Sequence, residues 1–104
     1  MVEKEIYLIM SIDEGYYKIG ISKNPQKRLK QLQTASSSKL NLIETYKSHR
    51  YSKIEKALHR LFNHGSKIGE WFDLDIVDVN KFKEYCMTID NNLSVLEEHN
   101  NNFI

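Results

Sequence analysis

Tyr7, Lys18, Arg28 and Glu55 offer, in chain order, a phenol, an ammonium, a guanidinium and a carboxylate. Together these groups suit hydrolysis of a phosphodiester with one divalent cation. A phenol or amine can move a proton, a guanidinium grips a phosphate with a planar fork, and a carboxylate can hold the cation. Each of the four also has an ordinary structural use on its own. The chemistry exists only if the elements that carry them bring them together.

The bulk of the chain fits a small catalytic or binding domain. Its 104 residues suffice for one modest core, and 40% hydrophobic with 28% charged residues is the balance of a globular protein. The longest apolar run, Ile6 to Met10, has five residues, far short of a membrane span. Met1 to Glu5 lacks the basic and apolar regions of a signal peptide, so an intracellular, cytoplasmic location is expected. The single cysteine, Cys86, excludes an internal disulfide and a cysteine-based zinc site. Net charge is +1, but its distribution is uneven. From Tyr16 to Lys67 twelve Lys and Arg stand against two acids, Glu44 and Glu55, a net of +10. The first 15 residues carry −3 and residues 68–104 carry −6. A basic middle between acidic flanks is the asymmetry of a polyanion-binding face. Lys23, Lys27, Lys30, Lys39 and Arg50 are its candidate nucleic-acid contacts.

The elements follow from pattern. Glu5 to Ile12 alternates as a strand, Asp13-Glu14-Gly15 turns, and Tyr16 to Ser22 returns as the second arm of a hairpin. Asn24-Pro25 starts a helix that runs to about Gln33 and buries Pro25, Leu29 and Leu32. Ala35 to Ser38 is a polar loop, and Leu40 to Ser48 reads as a third strand. A second helix opens at Tyr51 or Ser52 and ends near Gly65, a plausible C-cap. A third begins near Val77, carries Val79, Phe82, Tyr85 and Cys86, and is expected to break at Asp90-Asn91-Asn92. Asn100 to Asn102 is expected to fray. The order is ββαβαα: an α+β domain with a three-stranded antiparallel sheet flanked by helices. Residues 1–104 read as one domain.

On the second helix, Ile54, Leu58, Leu61 and Phe62 form an apolar face at about 100° per residue. Glu55 falls at its edge, and His59 lies one turn further along that edge. A carboxylate bordering a core is costly unless an arginine, a lysine or a metal pairs it. Arg28 sits beside Leu32 at the rim of the first helix, where it can reach over the sheet. The hairpin register decides which residue faces Tyr7. A two-residue turn puts Lys18 and Gly20 on its face. A three-residue turn ending in Gly15 puts Tyr17 and Ile19 there instead.

Four motifs, in order, give the chain a resemblance to the GIY-YIG nucleases. Glu5-Ile6-Tyr7 is similar to their Gly-Ile-Tyr, and Lys18-Ile19-Gly20 to their Tyr-Ile-Gly. Arg28 follows Gly20 by eight positions, as the family arginine follows its glycine, and Glu55 matches the glutamate on a later helix. The small phage and viral branch is closest, through Lys18 to Ser22, Arg28 to Thr34, Glu55 to Phe62 and Gly69-Glu70-Trp71-Phe72. The resemblance covers a motif-bearing core at 5–74, leaving a C-terminal helix and tail at 75–104. Glu5 and Lys18 depart from the family's glycine and tyrosine.

The resemblance implies an endonuclease that hydrolyses DNA by a one-metal mechanism. Glu55 would hold Mg²⁺ or Mn²⁺. Tyr7, helped by Lys18, would take a proton from the attacking water, and Arg28 would stabilise the charged transition state. Tyr17 takes the place of Lys18 if the register differs, and His59 is a minor candidate. A non-catalytic DNA-binding module on the same fold is the alternative, and the same residues would act on RNA phosphates. A phage or viral origin implies the host-cell cytoplasm. No second domain is expected to read bases, so specificity would be low or come from a dimer or a partner. Trp71 reads as a core residue that packs the third helix.

Overall fold

A computed structural model describes residues 2–63, 66–68 and 71–100, with side chains placed for 2–63 and 71–99. Strand β1 (Lys4–Ser11) and β2 (Tyr16–Ser22) are followed by α1 (Pro25–Thr34), β3 (Leu40–Ser48) and α2 (Tyr51–Leu61). Two short strands, β4 (Ser66–Ile68) and β5 (Trp71–Phe72), precede α3 (Ile76–Asn80) and α4 (Phe82–Asn100). The domain is α+β, with an antiparallel sheet flanked by helices. Among the described residues the sheet has five strands in the order β3-β1-β2-β5-β4, not the three expected. The extra pair is too short to show an alternating pattern, with two residues in β5 and three in β4. The expected C-cap at Gly65, the first half of Gly69-Glu70-Trp71-Phe72 and the frayed residues 101 and 102 lie outside the described residues.

Alternation in β1 and β2 builds two cores, one on each face of the sheet. Ile6, Leu8, Tyr17 and Ile19 pack under Ile54, Leu58 and Phe62 of the α2 segment and Phe82 and Cys86 of α4. Tyr7, Ile9 and Leu40 occupy the other face, under Leu29 and Leu32 of α1 and beside Trp71. Burial raises the Cys86 thiol to about 12, so it behaves as a small apolar side chain. The helix start expected at Asn24-Pro25 is present. Asn24 accepts from Lys27 N at 3.1 Å, and Pro25 opens the first turn. Leu61, expected in the core, is 49% exposed. The α2 helix ends there, and Phe62 turns inward as its C-cap residue.

The expected break at Asp90-Asn91-Asn92 does not occur, and α4 runs through it. Asp90 is tied instead to distant partners. Tyr46 Oη donates to its Oδ2 at 2.8 Å, and Arg50 Nη1 to its Oδ1 at 3.0 Å. Arg50 also donates to both carboxylate oxygens of Glu97, through Nε and Nη2, each at 3.0 Å. This clamp joins the end of β3, the start of α2 and the length of α4. The actual helix boundary falls at Lys81, between α3 and α4.

Candidate active site

The hairpin turn has neither expected length. Ser11 pairs with Tyr16, leaving a four-residue loop from Ile12 to Gly15. Gly15 takes a φ of +73°, and its N–H donates to Ser11 O at 2.8 Å. Two and four loop residues share a parity, so the facing expected from the shorter turn is nonetheless the one seen. Tyr7 lies opposite Gly20, Ile9 opposite Lys18, and Ser11 opposite Tyr16. Lys18 therefore shares a face with Tyr7. Tyr17 belongs to the opposite core, which removes it as the residue facing Tyr7.

Tyr7 and Lys18 are well covered, 2% and 7% exposed. The phenol of Tyr7 lies over Gly20. A Cβ there would collide with Tyr7 Oη and Cζ, so the Lys-Ile-Gly motif needs its glycine to admit the ring. Lys18 extends beside the Trp71 ring, with Nζ 5.7 Å from its centroid. The β5 strand aligns this pair, since Lys18 and Trp71 are cross-strand partners. Trp71 packs with Tyr7, Ile9 and Leu40 and not, as expected, against the third helix.

Arg28 completes this face. It lines a small basic cleft with Ser22, Asn24, Lys23 and Lys27. Ser22 has the parity of Gly20 and Lys18, which places the cleft at the end of the Tyr7 face. Arg28 Nη1 donates to Gln31 Oε1 at 3.4 Å, a long contact on an otherwise half-exposed side chain. Lys30 is exposed in the same layer, and Lys39 is exposed in the loop before β3.

Glu55 comes from the other layer. It is half-buried on α2, one turn before His59. His59 Nε2 donates to Ile19 O at 2.9 Å, and its ring meets Phe72 edge-on with centroids 5.0 Å apart. The last β2–β5 pair is Lys18 with Trp71, so Ile19 lies just beyond the protection of β5. His59 thus closes the open edge of β2 and seats the Glu55 flank of α2 along it. The bond commits the Nε2 proton, so His59 acts as a fastening. Tyr7 and Lys18 share one sheet face, Arg28 lies on the helix that packs on it, and Glu55 lies on α2, which packs on the opposite face.

The basic middle is divided by the fold. Lys23, Lys27, Arg28 and Lys30 belong to the α1 layer, on the Tyr7 side, whereas Lys39 stands between Ser38 and Leu40 and its carbonyl accepts from Ile12 N. Lys53, Lys56 and Arg60 are exposed on α2, on the far side. Arg50, expected among the nucleic-acid contacts, is instead taken by Asp90 and Glu97. Its partners lie 40 and 47 positions away, and no local pattern signals them.

Among the described residues no three His, Cys, Asp or Glu side chains gather into a cation cage. One half-buried carboxylate still fits Mg²⁺, which keeps several waters and takes one or two carboxylates together with substrate phosphates. Glu55 is the residue that would hold it. Among the described residues no helix is long and apolar enough to cross a membrane.

The T5orf172 domain matches residues 5–87, a span holding every residue of the candidate site. This phage-associated domain falls within a GIY-YIG/HNH-like nuclease-related clan and is associated with nuclease and DNA-binding function. No curated protein and no solved structure matches the chain.

Proposed function

Since this chain belongs to the T5orf172 domain family, we propose that it is a DNA endonuclease of the GIY-YIG type that works with Mg²⁺ or Mn²⁺. One observation carries the reading. Tyr7 and Lys18 share one face of the sheet, with the Tyr7 phenol set over the glycine of the Lys-Ile-Gly motif, and α1, which carries Arg28, packs on that same face.

In this reading the scissile phosphate enters from the cleft of Arg28, Lys23 and Lys27. Arg28 holds two of its oxygens in a planar fork and stabilises the charge that gathers on them in the transition state. Tyr7 takes the proton of the attacking water at Oη, helped by Lys18 on the same sheet face. Glu55 would hold the divalent ion, which would supply Lewis-acid activation of a phosphate oxygen. Lys30 adds a contact to the backbone on the same side, and Lys39 one from the loop before β3. Sequence selectivity would come from a second copy or a partner, and the host cell is the place of action.

Burial of Tyr7 and Lys18 favours a second reading, a DNA-binding module without turnover. Incubation of supercoiled plasmid with Mg²⁺, Mn²⁺ or EDTA decides between them, using wild type and Glu55→Ala. The nuclease reading requires metal-dependent nicking by wild type and its loss in Glu55→Ala, with DNA binding retained. Plasmid binding without nicking in any metal supports the binding module.

A further inference from the structure

A pocket of about 420 Å³ opens at the hairpin end of the Tyr7 face. Leu32 and Leu40 form its floor, Tyr16 and Trp71 supply aromatic wall, and Ser36 and Glu14 stand at its polar side. Tyr16 and Trp71 are diagonal neighbours on one face, because Lys18 is the direct partner of Trp71 and Tyr16 is two residues from Lys18. Both rings are only half-covered. Glu14, exposed at the pocket rim, takes one hydrogen bond from a buried hydroxyl pair. Ser11 Oγ donates to Glu14 Oε1 at 3.2 Å and lies 2.6 Å from Ser38 Oγ. With the Ser11 proton directed at Glu14, Ser38 must donate to Ser11. The second carboxylate oxygen remains able to accept from a ligand N–H.

We infer that this pocket takes one unpaired nucleobase of the bound strand, stacked on Tyr16 and Trp71 and read by Glu14. The inference rests on the nuclease reading for the strand's course along this face. A phosphate is the wrong occupant, since the Glu14 carboxylate repels it and the cations that attract it line the Arg28 cleft. Aromatic walls and a floor of leucines suit a base, and stacking is how unpaired bases are held on proteins. Tyr16 is four residues from Gly20 along β2, roughly 13 Å. That distance is a span of a few nucleotides from the phosphate site. A carboxylate selects bases that present N–H donors. Guanine fits best, with adjacent N1–H and N2–H groups. Thymine offers one N–H between two carbonyls that the carboxylate opposes.

Trp71 is the sole tryptophan, so its emission reports on the pocket directly. The full chain is titrated, in EDTA to prevent cleavage, with three five-nucleotide single strands. One has a central dG among thymidines, one is all dT, and one has an abasic site at the centre. The dG strand is expected to quench Trp71 and to bind roughly tenfold tighter than the abasic strand. Tyr16→Ala should remove most of that advantage, and Tyr16→Phe should keep it. Glu14→Gln should erase the preference for dG over dT. Equal affinity for the dG and abasic strands, with Trp71 emission unchanged, overturns the inference. That outcome leaves plasmid nicking and salt-dependent binding of the abasic strand untouched. Conversely, base-dependent quenching in a protein that never cuts upholds the pocket and rejects the nuclease.

Discussion

The ring of Tyr7 occupies the space that a side chain at Gly20 would need, directly across the β1–β2 ladder. The pair couples the position of the phenol to the absence of a Cβ on the neighbouring strand. Gly20→Ala should therefore displace the Tyr7 ring and cost about 1–3 kcal/mol, the range for overpacking a filled site. Urea unfolding checks the cost. Combining Gly20→Ala with Tyr7→Ala should recover part of it, since the smaller side chain clears the space. Equal losses in both backgrounds would show that the glycine serves the backbone alone.

The Arg50 clamp should matter to stability and not to nucleic-acid binding. Arg50→Met leaves Asp90 and Glu97 without their cation, and a measurable loss of stability is expected, read by urea unfolding. Affinity for DNA should stay within the change expected from removing one distant charge. A large fall in affinity, with stability unchanged, would return Arg50 to the nucleic-acid face.

The same clamp should give stability a definite pH dependence. Burial raises the Asp90 carboxyl, but hydrogen bonds from Tyr46, Arg50 and Ser48 outweigh it and hold it below the usual range. The hydrogen bond from Arg50 likewise lowers Glu97. Depressed carboxyls stabilise the fold above their unfolded values, about 4, and that stabilisation is lost as pH falls through their folded values. Tyr46 works in the opposite sense. Burial and the bond to Asp90 raise it to about 12, so its contribution is full below pH 10 and fades as pH rises toward 12. Thermal melting of wild type, Asp90→Asn and Tyr46→Phe tests both limbs. Asp90→Asn should flatten the acid limb and Tyr46→Phe the alkaline one.

His59 should behave as a fastening of α2 to β2. His59→Ala strands the Ile19 carbonyl and should cost about 1–3 kcal/mol. His59→Gln, which keeps a donor, should restore part of that stability and most of any nicking. If His59→Gln folds as wild type but abolishes cleavage, the imidazole takes part in the chemistry.

Much of this arrangement is legible in the residues, and the gaps have physical causes. Asn24-Pro25 and the alternation of β1 and β2 state their own structure, because capping and pleat are local. The face shared by Tyr7 and Lys18 depends on loop parity, and turn chemistry alone leaves that open. Position 90 shows the limit of propensity. Asp-Asn-Asn disfavours a helix, yet Tyr46 and Arg50, far away in sequence, hold α4 together there. Trp71 reads from sequence as a core residue that packs the third helix because a two-residue strand has no periodicity to reveal its pairing with Lys18. The division of the basic residues between two layers is likewise a property of packing and invisible in a charge count.

Binding should distinguish the two basic layers. Neutralising Lys27 and Lys30 on α1 should lower both DNA affinity and its salt dependence, because a protein that neutralises fewer phosphates releases fewer counterions. Neutralising Lys53 and Lys56 on α2 should change both much less. Affinities measured between low and physiological salt give the slopes, and equal effects from the two pairs would place DNA on neither layer in particular.

Cleavage by Tyr7→Phe is the most direct test of the site. The substitution keeps the ring over Gly20 and deletes only the hydroxyl, so folding and DNA affinity should match wild type. Single-turnover nicking of supercoiled plasmid in Mg²⁺ should fall by about 10²–10⁴, the contribution of a positioned proton acceptor. A Tyr7→Phe protein that nicks at the wild-type rate would show that the phenol over Gly20 is not the group that moves the proton.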